Sequence, residues 1–405
     1  MNGDKVMTRQ IQDVYIVSAI RTPIGKAKGA FAFTRPDDLL SVVLHEIVSL
    51  NPQIAPEEIE DVIVGCAMPE AEQGMNVARI ATLLAGLPIC VPAMTINRFC
   101  SSGLQAIALA RDKIALGEAD VMIAGGVESM SMVPMGGHHF SANPKYFEND
   151  EEYVALSFGM GITAENVAKK WEISREAQDE FAYASHQKAI AAIKKGEFVD
   201  QIAAISTEKA FPNLKNQTNP IIREDVRIDQ GPRMDTSLEV LSKLRPVFAQ
   251  NGSVTAGNTS QMSDGASALL LVSEKYLTKH DLQPLARLMS FSVAGVLPEY
   301  MGIGPVAAIP KALKASGLSL NQIEWIELNE AFAAQSLAVI KDLDIDMNRV
   351  NPVGGAIAMG HPLGATGAVL STKLIHGMRK RNQRYGMVTM CIGTGMGAAG
   401  IFEIL

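Results

Sequence analysis

One pattern constrains the fold of this chain more than any other: a short apolar run, a glycine-rich turn and a helix of small residues occur together twice. The first copy covers residues 93–116 and the second covers residues 351–378. When Gly103 is aligned with Gly364, Cys100 and His361 take the same place, each three residues earlier. Two similar halves with reactive groups on matching turns indicate a duplicated fold. We expect the functional site where the halves meet, at helix N-termini.

Apolar runs alternate with segments of helical spacing along both halves, which is typical of a layered α/β domain. The runs are continuous rather than alternating, as in strands that are buried on both faces. Strands are predicted at residues 14–19, 62–66, 93–96, 121–126, 323–328 and 385–391, and a regular pattern also returns at residues 265–273 and 287–293. Helices are predicted at residues 39–50, 76–85, 101–116, 163–195, 329–343 and 365–378, and a strand that runs into a turn at residues 351–364.

The middle of the chain departs from this pattern. Residues 129–150 are rich in Met, Gly, His and Pro, and residues 207–249 are polar with several prolines. We expect residues 129–260 to form a loop domain that is inserted over a pocket. The N-terminal half then covers residues 1–128 and is completed by about residues 261–284, and the C-terminal half covers residues 285–405.

Composition disfavours several classes of protein. A chain of 405 residues suits two or three domains, and a net charge of −7 does not suit a general nucleic-acid surface. Four cysteines are too few for a disulfide scaffold and fit a reducing compartment. No apolar run reaches the roughly 20 residues that span a bilayer, and no Cys or His pair has zinc-site spacing. Residues 1–10 contain no apolar block and the C-terminus is not a peroxisomal signal, so we expect a cytoplasmic protein without a membrane span or a metal.

Three glycine-rich segments carry reactive side chains: residues 97–103 (NRFCSSG), 354–364 (GGAIAMGHPLG) and 390–397 (MCIGTGMG). Glycine lets the backbone approach a ligand closely, because it has no Cβ. Cys100 follows a predicted strand and precedes a helix, whose N-terminus would favour its thiolate. A small buried core residue is an equally good interpretation of this cysteine from its position alone.

His361 and Cys391 also admit a structural and a functional interpretation. His361 lies in a stretch with four glycines, more than a surface turn needs, and is placed to take a proton from Cys100 as in Cys–His catalysis. Cys391 precedes three glycines, and in the functional interpretation their N–H groups would hold a ligand oxygen. In the structural interpretation Cys391 is a buried core cysteine. Cys66 and Cys90 have no such surroundings, and we interpret both as structural.

Taken together, the motifs resemble those of the thiolase family from Tyr15 to the C-terminus. In the family's order, they are a nucleophile segment (97–106), the VTAGNTS and DGA segment (254–260 with 264–266), the NEAF motif (329–332), a histidine motif (354–364) and a C-terminal cysteine motif (391–397). The resemblance implies an α/β fold of duplicated αβαβα halves that form a five-layered core, with the inserted loop domain over the coenzyme A site. It also implies an acyltransferase that cleaves 3-ketoacyl-CoA with CoA, through an acyl thioester, and releases acetyl-CoA.

The resemblance further implies a role for each matching residue. Cys100 would carry the acyl group, and His361 would activate its thiol. His361, with Asn329 through a bound water, would hold one thioester oxygen, and the N–H groups of Cys100 and Gly393 would form the second oxyanion hole. Cys391 would be the acid and base at C2 of the substrate. CoA, a co-substrate rather than a permanently bound cofactor, would contact Ser260, Arg233, Met160, Ala256, Ala331 and Phe332.

Within the family, the chain resembles degradative 3-ketoacyl-CoA thiolases more than biosynthetic acetoacetyl-CoA thiolases. Biosynthetic members commonly carry His beside the Met of the pantetheine channel, whereas Gly159 precedes Met160 here. The missing side chain at position 159 would leave room for longer acyl tails, and residues 301–305 (MGIGP) point to the same subtype. Residues 129–150 do not resemble the biosynthetic tetramerisation loop, so we expect a homodimer, with a tetramer as the alternative.

Two other functions stay open at this point. A ketoacyl-synthase-like condensing enzyme shares the fold, but such enzymes generally combine Cys with two His or with His and Asn, and Cys391 argues against this. A non-catalytic acyl-CoA-binding subunit of a fatty-acid oxidation complex is disfavoured because Cys100, His361 and Cys391 are all present. An active subunit of such a complex is compatible with the sequence.

Overall fold

The computed structural model describes residues 11–147, 154–210 and 215–405. In this part of the chain, strands β1–β12 are Val14–Arg21, Gly25–Lys26, Asp61–Gly65, Ala93–Ile96, Val121–Ser129, Ile205–Ala210, Ile221–Val226, Ser263–Ser273, Ala286–Gly295, Trp325–Leu328, Tyr385–Ile392 and Met396–Ile404. Helices α1–α11 are Pro36–Ser49, Val77–Leu84, Ser102–Ala115, Met160–Lys170, Arg175–Lys194, Leu238–Ser242, Glu274–Lys279, Gly304–Ser316, Ala333–Asp342, Ala356–Met359 and Leu363–Arg379. None of these helices is long and apolar enough to cross a membrane.

The two halves repeat one arrangement of strands. In the N-terminal half, β3 pairs in parallel with β4 and β5, and β8 and β1 follow antiparallel. In the C-terminal half, β10 pairs in parallel with β11, and β12 and β9 follow antiparallel. The halves join edge to edge at β1 and β9, where Ile16 pairs with Ala286. The duplication expected from the aligned turns is confirmed.

Five layers result, because each half of the sheet is covered on both faces. Helices α3 and α11 contact each other and lie between the two halves of the sheet, whereas α1 packs on the outer face of the N-terminal half and α8 on that of the C-terminal half. Successive side chains of β12 point to opposite faces of the sheet: Phe402 packs with the central helices, and Ile401 packs with α8. The order helix, sheet, helix, sheet, helix confirms the expected core, to which both halves contribute.

Close packing of the two central helices explains why both are built from small residues. A Cβ on Gly103 would lie 2.7 Å from the backbone N of Ala368, and a Cβ on Gly367 would lie 2.3 Å from the backbone N of Leu104. Real Cβ atoms do not approach backbone this closely, so both positions require glycine. The two glycines bring the N-terminal ends of α3 and α11 together, and these ends follow Cys100 and His361.

The segment 351–364 differs from its prediction as a strand that runs into a turn. Val350 forms only an isolated parallel bridge with Ile326, in the place that β4 takes beside β3 in the other half. The side chain of Asn351 replaces the next ladder bonds: its Oδ1 accepts the N–H of Leu328 at 3.0 Å, and its Nδ2 donates to the carbonyl of Leu328 at 2.8 Å. The chain then forms the short helix α10, so the predicted strand was wrong at this position.

The central segment is more regular than the sequence indicates. The predicted helical stretch at 163–195 is two helices, α4 and α5, and the helix start that the sequence suggests at residues 174–177 is confirmed, since Ser174 caps α5 by accepting the N–H of Ala177. Residues 207–249 contain most of the hairpin β6–β7 and the helix α6. Every described residue of β7 except Val226 is exposed. The strand therefore has no buried face, and its sequence lacks the alternation of apolar residues that would predict a strand. The boundaries of the loop domain at residues 129 and 260 stay a prediction.

A buried ion pair holds the end of β1 against the central segment. Arg21 Nη1 lies 2.7 Å from Asp229 Oδ1, and both side chains are fully buried. Asp229 Oδ1 also accepts the N–H of Ile24 at 2.8 Å. Removing one partner leaves the other charge buried and unpaired, which costs far more than removing an exposed pair.

Replacing Asp229 with Ala is therefore expected to lower the free energy of unfolding by about 3–5 kcal/mol. Urea denaturation followed by circular dichroism measures this change. The matched control is Arg227→Ala, which removes the exposed pair of Arg227 with Asp225 and should have a far smaller effect. Equal effects of the two substitutions would contradict the assignment of Arg21 and Asp229 as a structural pair.

Candidate active site

A cavity of about 640 Å³ lies between the two halves and the central segment. The structure brings together most of the residues that the sequence predicted for the site. The predicted residues that line the cavity are Cys100, His361, Cys391, Gly393, Ser260, Met160, Ala256, Ala331 and Phe332. Asn329 lies behind this lining against His361, and Arg233 lies at the surface.

Cys100 lies in a 3₁₀ turn, Phe99–Ser101, between β4 and the N-terminus of α3. The turn holds Phe99 at a φ of +43°, and Asn97 Oδ1 accepts the N–H of Phe99 at 2.7 Å. Such a backbone conformation is costly for a residue with a side chain, so the surrounding structure must hold the turn in place. The turn presents the sulfur of Cys100 to the cavity beside the N–H of Gly393.

The thiol of Cys100 is protonated in the resting protein. Burial raises its pKa to about 12, and the neighbouring N–H groups of Gly393 and of Cys100 itself offset this only in part. The thiolate expected from the helix N-terminus is therefore not the resting form, because burial disfavours the charged form more than the N–H groups favour it. For Cys100 to act as the predicted nucleophile, a base would have to take this proton.

His361 is suited to be that base. Burial lowers the pKa of its imidazole to about 4, so the ring is neutral near pH 7. Its Nδ1 lies 2.6 Å from Thr366 Oγ1, and its Nε2 lies 3.3 Å from Asn329 Nδ2. The tautomer with hydrogen on Nδ1 donates to Thr366 and leaves Nε2 as the acceptor. Thr366 was missed in the sequence, because nothing in the pattern of a helix of small residues marks one threonine as a partner.

Asn329 follows β10 and keeps its place through its backbone, whose N–H donates to the carbonyl of Thr389 at 2.9 Å. Its side-chain oxygen is buried and has no hydrogen-bond partner within the described part of the chain. Buried amide oxygens are rarely left unpaired, and a water or ligand is the usual partner. This geometry is compatible with the expected water between Asn329 and a substrate oxygen, which stays a prediction.

Cys391 lies near the end of the buried strand β11 and is 1 % exposed. Burial and the neighbouring thiol of Cys100 both raise its pKa, so it too is a neutral thiol at rest. After it, the turn at Thr394 and Gly395 has φ values of 66° and 85°, which turns the chain back into β12. The positive φ at Gly395 agrees with the glycine-rich pattern that drew attention to this segment.

Arg233 does not line the cavity. Its side chain is exposed and pairs with Asp235 at 3.1 Å, and its backbone N–H donates to His186 Nδ1 at 3.1 Å. A contact from Arg233 to CoA would thus involve the charged nucleotide end of that molecule, which would extend beyond the cavity. This contact stays a prediction.

The cavity also has an apolar lining, of which sequence reasoning predicted Met160, Ala331 and Phe332 and missed the other residues. Cys100 packs beside a cluster of Ala67, Met68, Met130 and Leu363, of which all but Ala67 line the cavity. On the other side, Cys391 packs in a cluster with Met160, Ala164, Val254, Met301, Ala331 and Phe332. Unbranched methionines adapt to ligands of different shape. These residues come from segments far apart in the chain, so no local pattern marks them.

The site combines groups for covalent acyl chemistry on sulfur. It has two neutral thiols, one neutral imidazole and N–H groups directed at the first sulfur. Among the described residues, no group of three or more His, Cys, Asp and Glu is placed to hold a metal ion. An acyl thioester on Cys100 and proton transfer by Cys391 are the reactions that this arrangement permits.

Comparison with known proteins decides the family. Residues 14–275 match the thiolase N-terminal domain, and residues 282–404 match the thiolase C-terminal domain. The chain belongs to the thiolase family. It is 51% identical over 396 residues to a 3-ketoacyl-CoA thiolase of Bacillus subtilis. This alignment covers 97% of this chain and 100% of the relative.

Two solved structures resemble this thiolase over nearly the whole chain. The acetyl-CoA acetyltransferase of Bacillus anthracis has a TM-score of 0.87 and 39% identity, covering 98% of this chain and 100% of its own. Human mitochondrial 3-ketoacyl-CoA thiolase has a TM-score of 0.87 and 38% identity, covering 97% of this chain and 99% of its own. These structures confirm the five-layered thiolase fold.

In this thiolase, replacing His361 with Asn is expected to change how alkylation of Cys100 depends on pH. With neutral His361 as base, the rate should vary little from about pH 6 to about pH 9. Without it only the free thiolate reacts, and because the pKa of Cys100 is raised, the rate should climb about tenfold per pH unit. Mass spectrometry of iodoacetamide-treated protein measures the rate, with Cys90→Ser in both proteins to remove an exposed thiol. Parallel profiles would exclude His361 as the base.

Proposed function

We propose that the chain catalyses CoA-dependent thiolytic cleavage of 3-ketoacyl-CoA to acetyl-CoA and a shortened acyl-CoA. The observation that carries this proposal is the meeting of Cys100, His361 and Cys391 around one cavity in a chain of the thiolase family. The relatives named 3-ketoacyl-CoA thiolase support the substrate class. The reaction is reversible in principle, and the same groups would serve the Claisen condensation.

In the first half-reaction, His361 takes the proton of Cys100 and the thiolate attacks the C3 carbonyl of the substrate. The C2–C3 bond then breaks, the acyl group stays on Cys100 as a thioester, and the electron pair passes to the enolate of acetyl-CoA. Cys391 donates its proton to C2 and releases acetyl-CoA. This assignment uses the resting states of the site, because both thiols begin protonated.

In the second half-reaction, a CoA thiol attacks the thioester and displaces Cys100 as thiolate, which takes its proton back from His361. Cys391 needs its proton back, and the thiol of the incoming CoA supplies it. The costly species are the enolate and the tetrahedral oxyanions, for which the site offers the N–H groups of Cys100 and Gly393 and the pair His361 and Asn329. Losing one such donor typically costs on the order of 10²–10³ in rate.

CoA would enter along the apolar side of the cavity that contains Cys391. In this proposal, Ser260 and Ala256 meet the pantetheine arm, and Met160, Ala331 and Phe332 line its channel. All five residues lie on the cavity wall. Arg233 would meet a phosphate at the surface, and CoA would be a co-substrate that leaves after each cycle.

Broad acyl-chain length is the subtype that we propose. Gly159 itself is exposed and does not line the cavity, so the support for this proposal comes from the cavity wall. The apolar cluster beside Cys100 would add adaptable walls for longer tails. An acetoacetyl-CoA thiolase is the alternative outcome of the test.

CoA-dependent cleavage of acetoacetyl-CoA and of a long-chain 3-ketoacyl-CoA, followed by loss of the enolate absorbance, tests this function. Cleavage of both substrates is the expected result. Cleavage of acetoacetyl-CoA alone would indicate the biosynthetic subtype. Cleavage of neither substrate would overturn the proposal, and turnover that depends on a malonyl thioester would indicate a condensing enzyme instead.

We also propose a homodimer that forms through β4, with a tetramer as the alternative. β4 is an edge strand of the sheet, and an unpaired edge is a site for pairing with a second copy. Next to it, Met75 and Ile89 are 97% and 85% exposed, and Leu84 is more than half exposed. Sedimentation of wild-type protein and of Ile89→Lys distinguishes the states: the substitution should shift the protein toward monomer.

Other proposals concern where and with what the chain works. Its four cysteines are free, which fits the reducing cytoplasm. Association with hydratase and dehydrogenase activities in a fatty-acid oxidation complex is compatible with an active site of this kind. Co-purification from cells that oxidise fatty acids tests that association. The loop domain at residues 129–260 is proposed as the cover of the CoA site.

A further inference from the structure

Gln261 lines the cavity next to Ser260 and joins several segments of the site. Its side-chain nitrogen Nε2 lies 2.9 Å from the carbonyl oxygen of Gly231, 3.1 Å from that of Ala358 and 3.2 Å from that of Ile357. The two hydrogens of this nitrogen are thus shared among three main-chain acceptors. Gly231 precedes Arg233, and the two other acceptors lie in α10.

The main chain of Gln261 also holds the catalytic histidine. Its carbonyl accepts the N–H of His361 at 3.2 Å. Ser263 Oγ accepts the same N–H at 3.2 Å and donates to the carbonyl of Gln261 at 2.8 Å. Both ends of Gln261, side chain and backbone, therefore fix the short path from α10 to His361.

The segment that carries Arg233 has little freedom to move independently of α10. A Cβ on Gly231 would lie 2.3 Å from the carbonyl oxygen of Ala358, so the two backbones are in direct contact. On its other side, His186 Nδ1 accepts the N–H of Arg233. A shift of α10 would move the Arg233 segment and His361 together, and Gln261 lies between them.

We propose that Gln261 is a positioning residue that sets His361 against Cys100 and holds the Arg233 segment against α10. This inference rests on the proposed function, because the roles of His361 and Arg233 belong to it. An amide suits the position because it has the shape of Glu or Met but brings two donors to carbonyl oxygens of buried residues. Without those donors, the carbonyls lose partners that burial makes costly to lose.

Replacing Gln261 with Met, which keeps the shape and removes the donors, tests the proposal. We expect a lower kcat for acetoacetyl-CoA cleavage together with a higher KM for CoA. A misplacement of about 1 Å costs on the order of 10²-fold in rate, so kcat/KM should fall by about that factor. The matched control is Gln12→Met, because Gln12 Nε2 also donates to a main-chain carbonyl, that of Ile114, but lies outside the cavity. In this control variant, kcat and the KM for CoA should equal those of the wild type.

A second variant, Gln261→Glu, adds a readout that a merely structural residue would not give. A carboxylate that faces three carbonyl oxygens is disfavoured, so the pKa of the new carboxyl group should be raised. In its protonated form it donates one hydrogen and restores part of the network. The activity of this variant relative to wild type should therefore rise as the pH is lowered.

The outcomes separate this proposal from the proposed function. Wild-type kcat and KM in Gln261→Met would overturn it, even if the melting temperature fell. If Gln261→Met does not fold, the pH profile of Gln261→Glu decides, and a profile parallel to wild type overturns the proposal. If wild-type protein cleaves no 3-ketoacyl-CoA, the proposed function fails, and alkylation of Cys100 then decides. A rate in Gln261→Met reduced toward that of His361→Asn supports the positioning role, and a wild-type rate overturns it.

Discussion

Replacing Cys100 with Ser is expected to abolish acyl transfer and to leave the fold intact. The hydroxyl is a much weaker nucleophile than the thiolate that His361 generates, and loss of a covalent nucleophile costs about 10⁴-fold or more. The exchange of sulfur for oxygen changes little volume in the turn Phe99–Ser101. Release of CoA from acetyl-CoA and the mass of the acylated protein measure the loss. Unchanged thermal unfolding would show that the fold is kept.

Cys90→Ser is the matched control for this experiment, because Cys90 is a free exposed thiol outside the cavity. It should acylate and turn over like wild type. Retained turnover in Cys100→Ser would remove Cys100 as the nucleophile. An acyl adduct on any other residue, located by peptide mass spectrometry, would contradict the proposed mechanism as well.

Replacing Cys391 with Ala should separate the two halves of the chemistry. The variant keeps Cys100 and His361, so it should still accept an acetyl group from acetyl-CoA. It lacks the thiol that exchanges the proton at C2, and loss of a general acid and base costs about 10²–10⁴-fold. Deuterium wash-in at C2 of acetyl-CoA should fall by that factor, and cleavage of acetoacetyl-CoA should fall with it.

The contrast between acylation and exchange is the internal control for Cys391→Ala. Loss of both would indicate damage to the cavity rather than loss of an acid and base, since Cys391 packs against Phe332 and Met301. Deuterium wash-in at the wild-type rate would refute the role of Cys391. Acylation that is retained, though slower because Cys391 no longer protonates the departing CoA thiolate, with exchange at C2 lost, is the result that the mechanism predicts.

The resting site carries no net charge on its three reactive groups, and burial is the common cause. It raises the pKa of both thiols and lowers that of His361. Separating charge into Cys100 thiolate and imidazolium is thus unfavourable until a substrate carbonyl is present to accept the attack. The N–H groups near Cys100 need no reorganisation at that moment, which is how preorganised donors favour a reaction.

Much of the core was predictable because its signals are local. The strand at residues 93–96 has the predicted bounds, and the strands around it lie within a few residues of theirs. Continuous apolar runs are sufficient for strands that other layers cover on both faces. The duplication was predictable because the same helix packing imposes small residues in both halves, although the reciprocal contacts pair Gly103 with Gly367 rather than with the aligned Gly364.

The errors arose where side chains or neighbouring segments replaced the regular pattern. Asn351 takes over the hydrogen bonds of a strand that the sequence indicated. The exposed strand β7 has no buried face and therefore no apolar alternation. The helix Ala333–Asp342 starts after the NEAF motif rather than within it, since Phe332 is extended and forms an isolated bridge with Thr259.

The sequence by itself determined the layered α/β class, the two halves and the three reactive side chains. The spacing of apolar residues, the small residues of the central helices and the glycine-rich turns are all local patterns of neighbouring residues. Only the tertiary structure decided which residues surround those side chains. Gln261, Thr366 and the methionines of the cavity lie on segments that meet only when the halves pack. Burial, which sets the pKa of Cys100 and His361, is likewise a property of that packing and of no single segment.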